Sequence, residues 1–460
     1  MGKQIRLNAF AMNTVGHQSS GMWRHPRDHS SRYNTIGYWV DIARTLERGK
    51  FDGLFLADVL GVYDVYGGSV TEALRTASQI PTNDPALIVP VMAAATEHLG
   101  FGLTSTLSYE PPFTFARRIS TLDQLTNGRL GWNIVTGYLN SAAKGLGLDN
   151  QPAHDTRYDI ADEYMEVVYK LWESSWEDGA VLRDTERGLF SDPARVHKVR
   201  HDGQYYQLDA VHLCEPSPQR TPVLYQAGAS KKGRAFAANH AECVFIAGPS
   251  KQVIAPAVAD IRARAKAAGR TAGSPLIFTL MTVITGRDDA EAEAKFAEYK
   301  RYISHTGALT LMSGWTGIDF STYRLDDKLH QIRNDAIHSA VDAFTVSDPN
   351  KVWTVQEIAE FVGIGGTGPI IVGGPQRVAD ELQGWVEDTG IDGFNLAYVV
   401  APETFEDFVE HAVPELQRRG VYKTDYTLGT LREKLFGAGS LLDATHPGGR
   451  LRLGQREFPA

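Results

Sequence analysis

Apolar runs short enough for single strands alternate with longer amphipathic segments through most of the chain. "IRLNAF" precedes a helix-patterned segment at 38–50, "FDGLFLAD" one at 86–99, and "GFGLTSTL" one at 113–126. "RLGWNIV" is followed by "ADEYMEVVYKLWES", "TPVLYQA" by "KGRAFAANH", and "ECVFIAG" by the Ala-rich segment 254–268. "LIFTLMTVITG" with "AEAEAKFAEYKRYI" and "IDGFNLAYV" with "ETFEDFVEHAVPELQRRG" complete eight pairs. A change of period from strand to helix, repeated in this way, predicts βα units feeding a parallel sheet. Eight of them fit a closed TIM (β/α)8 barrel better than an open doubly wound sheet.

Three stretches break the rhythm, at 61–83, 177–220 and 304–374. Loops of this length inside a compact domain usually carry function or structure of their own, so they are expected to be insertions covering the C-terminal face of one barrel domain, 1–436. The tail 437–460 has Gly, Pro and Arg but little periodicity, and it is expected to wrap over a neighbouring surface or fray.

Composition narrows the function. The chain has 460 residues, 43% of them hydrophobic, and a net charge of -9. Without a stripe dense in Lys and Arg, neutralisation of nucleic-acid phosphates is not expected. The start lacks the apolar core of a signal peptide, and no run approaches the ~20 apolar residues of a membrane helix, which places the protein in the cytoplasm. The two cysteines, Cys214 and Cys243, make neither a disulfide framework nor a metal spacing. The histidines show no H-E-x-x-H pattern, so no metal is expected. No G-x-S-x-G elbow suggests a serine hydrolase.

In such a barrel the chemistry lies where the strands end. Asn13, Thr14 and His17 follow the first strand; Asp58, then Tyr63 and Gln79, follow the second. Thr104, Ser105, Thr106 and Tyr109 end the third, and Asn133, Thr136, Gly137 and Tyr138 the fourth. Any one of these could be an ordinary turn or cap residue; their recurrence at successive strand ends is what points to a site. After the fifth strand comes "LYQAGASKKGRAF". Its glycine spacing imitates a Walker A loop, but Arg234 stands where that motif needs Lys, and G-x-G-x-x-G is absent. Gly228 would still admit close backbone approach, and Ser230 would cap a helix whose N-terminus suits a phosphate, or would simply make a capped turn. "AHDTRYD" adds His154, Arg157 and Tyr158 at the head of another helix, where His154 and Tyr158 could bond a phosphate or ribityl chain and, equally, Asp155 or Asp159 could simply cap the helix.

Several segments together resemble a known family. "LNAFAMNTVGH", "LERGKFDGLFLADVLGVYDVY", "YEPPFTFARRISTLDQLTNGRLGWNIVTGYLNSAAKGLGL", "HDTRYDIADEYMEVVYKLWE", "HLCEPSPQRTPVLYQAGAS" and "IDGFNLAYVVAPETFEDFVEHAVPELQRRG" are similar to the two-component flavin monooxygenases of the bacterial luciferase-like superfamily. The branch is that of nitrilotriacetate, dimethyl sulfide, dibenzothiophene sulfone and long-chain alkane monooxygenases, and the likeness covers residues 4–436. It implies a TIM barrel that takes reduced FMN (FMNH2) from a separate NAD(P)H:FMN reductase. It also implies reaction with O2 to a C4a-(hydro)peroxyflavin that oxygenates a small molecule. A homodimer or homotetramer is implied as well.

By the same resemblance Asp58, Thr106, Asn133, Thr136, Gly137, His154, Tyr158, Gly228 and Ser230 match flavin-contacting positions. Tyr158, Ser230 and the amides near Gly228 would hold the phosphate, with Asp58, Thr106 and Asn133 toward the ring. Tyr138 and His17 are the catalytic candidates, and Tyr63, Gln79, Thr14 and Leu311 fall on the substrate side. Thr14 stands where the alkane enzyme has a cysteine, and Tyr138 and Leu311 where it has histidines, which argues against an alkane hydroxylase of that type. "TGYLNSAA" is similar to the sulfide and aminocarboxylate members. Few Arg or Lys at the strand ends favour a small sulfide-type compound over a polyanionic chelate. Aminocarboxylate or alkane oxygenation, a deazaflavin-dependent oxidoreductase and a non-catalytic flavin-binding protein are the alternatives.

Overall fold

The computed structural model describes residues 3–228, 230–271, 273–328 and 352–453. The eight expected strands all form: β1 Arg6–Met12, β2 Gly53–Ala57, β3 Gly100–Thr106, β4 Leu130–Val135, β5 Val223–Gln226, β6 Cys243–Ile246, β7 Leu276–Ile284 and β8 Gly393–Ala397. They pair in parallel and in sequence order, and β8 returns to β1 with Arg6 beside Gly393 and Phe10 beside Ala397. The barrel is therefore closed, leaving no open edge. A short strand, Ile370–Val372, extends the sheet at the upper end of β7.

Nearly every residue of these strands is buried, as a parallel sheet covered on both faces requires. The barrel interior is filled by aromatic rings: Phe245 lies 4.5 Å from Phe55, 5.1 Å from Tyr225 and 5.1 Å from Phe278, centroid to centroid. Tyr225 fits because β3 and β4 carry glycines beneath it; a Cβ on Gly102 would stand 2.6 Å from its ring and one on Gly131 2.9 Å. The N-terminal mouth is closed by the helix Leu431–Phe436, whose Leu431 and Leu435 join this cluster.

The insertions divide by the element they follow. Residues 61–83 leave the end of β2, and the helix Thr71–Thr76 there packs on the helix His305–Thr316 of the third insertion, where Ser78 Oγ donates to the Gly307 carbonyl at 3.3 Å. These two cover the C-terminal face. The 177–220 insertion instead follows the helix His154–Ser174, so it starts at the opposite end of the barrel. Its hairpins, Val181–Asp184 with Leu189–Ser191 and Val199–Asp202 with Gln207–Ala210, lie on the outer flank, tied by Glu163 to His201 at 3.2 Å and by His212 to Ser120 at 3.0 Å. A chain leaving a helix reaches the strand N-termini, and this geometry keeps that insertion off the strand-end face. Part of the 304–374 insertion, residues 329–351, lies outside the described residues.

The tail wraps as far as it is described. Arg452 bonds Glu173 at 3.0 Å, and His446 Nε2 meets the His240 carbonyl at 2.9 Å, tying residues 437–453 to two outer helices; residues 454–460 lie outside the described residues. Among the described residues no helix is long and apolar enough to cross a membrane, and none of the His, Cys, Asp and Glu side chains gather in a group of three or more able to hold a metal.

Candidate active site

Above the ends of β2, β3, β4 and β5 a cleft of about 250 Å3 opens between the strand-end loops and the first turn of the helix His154–Ser174. Asp58, Thr106, Thr136, Gly137, Tyr138, His154 and Tyr158 all line it, although 100 residues separate the first from the last in sequence. Val59, Leu60, Ile134, Val135, Leu139 and Phe236 supply its apolar wall. Convergent polar groups on an apolar surface are the usual composition of a small-molecule site.

Asp58 is the acid of the cleft. Loss of hydration raises its carboxyl to about 7, and the nearby Asp84 pushes the same way against the weaker pull of the Val59 amide and Arg118. It therefore carries a proton for much of the neutral range, and can donate a hydrogen bond. Asn133 lies beneath the cleft, donating through Nδ2 to Thr104 Oγ1 at 2.9 Å.

The phosphate-side candidates form one contact. Ser230 caps the helix Lys231–His240, its Oγ accepting from the Gly233 amide at 2.9 Å. Helix geometry leaves the amides of Lys231 and Lys232 without an intrahelical acceptor. The Tyr158 hydroxyl sits against this turn: a Cβ on Gly233 would lie 2.8 Å from it and 3.1 Å from Ser230 Oγ. Burial raises the Tyr158 phenol, while hydrogen bonding with Ser230 and the charge of Arg157 pull it down. The His154 ring meets Tyr158 edge-on at 5.2 Å, and its Nδ1 is 2.8 Å from Asp155. Gly228 flanks the same turn, though neither it nor Ser230 lines the cleft itself.

The substrate-side candidates stand behind the wall that Tyr138 makes. The Tyr138 hydroxyl is 2.5 Å from that of Tyr63, which is 2.9 Å from Gln79 Oε1 and 3.1 Å from Trp315 Nε1. Gln79 Nε2 in turn donates to the His17 carbonyl at 2.9 Å. Tyr138 is 44% exposed as a residue, while its hydroxyl is engaged with that of the buried Tyr63. Leu311 packs with Tyr63, Ala73 and Leu139 in a small apolar cluster. Thr14 spends its hydroxyl on the Pro81 carbonyl at 2.7 Å. The His17 ring is fully buried against Phe10, and desolvation lowers its pKa to about 3, so it is neutral near pH 7 and holds no proton to give as an imidazolium.

Two residues of this environment, Gln226 and Trp315, escaped the sequence reading of site residues. Gln226 ends β5 and lines the cleft; a scan of every polar residue at a strand end would have found it. Arg157, noted in the sequence beside His154 and Tyr158 but given no role of its own, also lines it. Trp315 comes from an insertion and carries no local signal. Around the cleft Asn133 Oδ1, Gln226 Oε1 and Arg157 Nε are buried with no hydrogen-bond partner. Buried polar groups are seldom left so. Two acceptors and a guanidinium N–H beside a helix N-terminus fit a polar aromatic ligand that ends in a phosphate.

A closed parallel barrel with a polar cleft at its strand ends has the architecture of the TIM-barrel enzymes. The family model for luciferase-like monooxygenases matches residues 12–393. Dimethyl-sulfide monooxygenase of Hyphomicrobium sulfonivorans is 52% identical over 98% of this chain and 94% of its own. Long-chain alkane monooxygenase of Geobacillus thermodenitrificans is 48% identical over 96% of each. Nitrilotriacetate monooxygenase component A of Aminobacter aminovorans is 33% identical over 95% of this chain and 97% of its own. Among solved structures, DmoA of Hyphomicrobium sulfonivorans superposes with a TM-score of 0.93 at 50% identity, covering 100% of this chain and 99% of that one. A riboflavin lyase solved with modified FMN and riboflavin superposes with a TM-score of 0.88 at 35% identity, covering 98% and 100%. The chain belongs to the luciferase-like monooxygenases, a family of flavin-dependent oxidoreductases.

Proposed function

We propose that this monooxygenase binds reduced FMN in the cleft at the ends of β2 to β5 and oxygenates a small, uncharged organic molecule of the sulfide type. The observation that carries the reading is the set of unpartnered buried atoms, Asn133 Oδ1, Gln226 Oε1 and Arg157 Nε, around a cleft beside a capped helix N-terminus. Tyr158, Ser230, His154, Arg157 and the first amides of the helix Lys231–His240 would hold the phosphate, and Gly228 would let the backbone come close. Asp58, Thr106, Asn133, Thr136 and Gly137 would meet the ring system.

When bound, the reduced flavin activates O2, so that one oxygen atom goes to the substrate and the other to water. The chain itself has three tasks. It orients the cofactor through the polar groups just named. It keeps water away with the apolar wall of Val59, Leu60, Ile134 and Leu139, since water in the cleft would waste the oxidant. It also keeps Asp58 protonated to higher pH than an ordinary carboxyl, up to about 7, so that below that pH a hydrogen-bond donor can face the ligand.

The nitrilotriacetate relative is named as a component A, and no nicotinamide fingerprint occurs in this sequence. Both support a separate NAD(P)H:FMN reductase as the source of FMNH2. The sulfide preference is supported by the dimethyl-sulfide relative and by the scarcity of cations around the cleft. The test is product formation from sulfide, amine, alkane and chelate panels with a flavin reductase, NADH and air. It is paired with anaerobic titration of FMNH2 against a reduced deazaflavin. Oxygenated product from small sulfides and tighter FMNH2 binding are expected. Product only from a tri- or tetracarboxylate would overturn the substrate reading, and preference for the deazaflavin would overturn the cofactor.

A further inference from the structure

We infer that Tyr138 is locked by a one-way hydrogen-bond chain so that it offers the cleft no proton, which makes this wall accept hydrogen-bond donors and uncharged groups and reject carboxylates. The inference rests on the reading of the cleft as the oxygenation site.

The direction of the chain follows from its fixed end. The His17 carbonyl can only accept, so the Gln79 atom 2.9 Å from it must be the NH2 nitrogen, which fixes the side-chain amide without reference to any assigned hydrogen. The other end of that amide is then the carbonyl oxygen, which can only accept, and the Tyr63 hydroxyl 2.9 Å away must donate to it. That commits the single proton of Tyr63. Trp315 Nε1 can only donate, so at 3.1 Å it fills one lone pair of the Tyr63 oxygen. The Tyr138 hydroxyl, 2.5 Å from the same oxygen, is left with one role, that of donor. Its one proton points into the wall, toward Tyr63.

The count holds only while both phenols keep their protons, and their burial ensures this: Tyr63 is raised to about 12 and Tyr138 well above the ordinary tyrosine value. Tyr138 therefore has no proton to offer the cleft, and its oxygen can there only accept. The guanidinium that lines the cleft, that of Arg157, stands on the helix with Tyr158 rather than beside Tyr63. A carboxylate brought to Tyr138 would meet lone pairs with no compensating charge, whereas a hydroxyl could donate to them. Gln79 and Trp315 are thus positioning residues. Gln79 sets the polarity, and Trp315 saturates the oxygen on which the chain turns.

The experiment compares two ligands of matched size, 2-(methylthio)ethanol and methylthioacetate, by calorimetric titration of the full chain without reductase or turnover. The wild type is expected to bind the alcohol at least roughly tenfold more tightly, about the scale of one hydrogen bond to an otherwise unpaired group. In Tyr63→Phe the Tyr138 proton loses its acceptor and is free to turn outward, so the ratio should fall by about fivefold or more. Gln79→Met should move it the same way by releasing the Tyr63 proton. Tighter binding of the carboxylate by the wild type, no binding of either ligand, or a ratio unchanged in both variants would overturn the inference. Because binding is read without oxygenation, this outcome stays separate from the turnover panels that test the proposed function.

Discussion

Asp58 makes the stability of the chain depend on pH in a direction opposite to that of most carboxylates. Its folded value is about 7 against 3.8 for the ordinary side chain, so between these limits the folded state holds a proton that the unfolded state has lost. Stability then falls as pH rises, because ionising Asp58 in a desolvated cleft beside Asp84 costs free energy that the unfolded chain does not incur. Integrating the two titrations between about pH 5 and pH 8 gives a loss of roughly 2–3 kcal/mol at 1.36 kcal/mol per pKa unit. Asp58→Asn keeps the shape and removes the titration. Urea unfolding of wild type and Asp58→Asn, without flavin and across this pH range, should show the variant gaining on the wild type by that amount, most steeply between about pH 5 and pH 7. A difference that is flat with pH would refute the raised carboxyl, and with it the picture of a proton held beside the ligand.

Ser230→Ala and Tyr158→Phe should each weaken FMN binding by about 1 kcal/mol, roughly fivefold, in a fluorescence-quenching titration; unchanged affinity in both would remove the phosphate assignment. Gly233→Ala places a Cβ 2.8 Å from the Tyr158 hydroxyl and should lower FMN affinity by about 1–3 kcal/mol through displacement of that turn. At the other mouth of the barrel Arg432 bonds Glu242 at 2.7 and 2.8 Å and also three backbone carbonyls within 3.0 Å. Arg432→Ala leaves the Glu242 carboxylate buried without its cation, bonded still by the Leu224 amide at 3.0 Å, so urea unfolding should show a loss of about 3–5 kcal/mol.

The barrel was legible in the sequence because each strand is buried on both faces and each helix is not, a contrast visible within ten or fifteen residues. The polar residues that line the cleft were legible for a related reason. Asp58, Thr106, Thr136 and Gly137 sit where strands end, and strand ends in a barrel converge on one face whatever the loops do. The 177–220 insertion shows the limit of that logic: its length was evident, but its side of the barrel depended on whether it followed a strand or a helix.

What the sequence determined by itself, then, was the closed barrel, the family, and the strand-end residues that share its C-terminal face. Only the tertiary structure decided how the other side chains are used. It turned the Thr14 hydroxyl to a backbone carbonyl, stripped His17 of its charge by burial, and gave Gln226 and Arg157 to the cleft. It also joined Tyr138 to Tyr63, 75 positions away in the chain, and Tyr63 to Trp315 from the far insertion. Strand and helix patterns are set by neighbours in sequence, but the direction of a proton is set by whichever donors and acceptors the fold brings within 3 Å, and no local pattern encodes those.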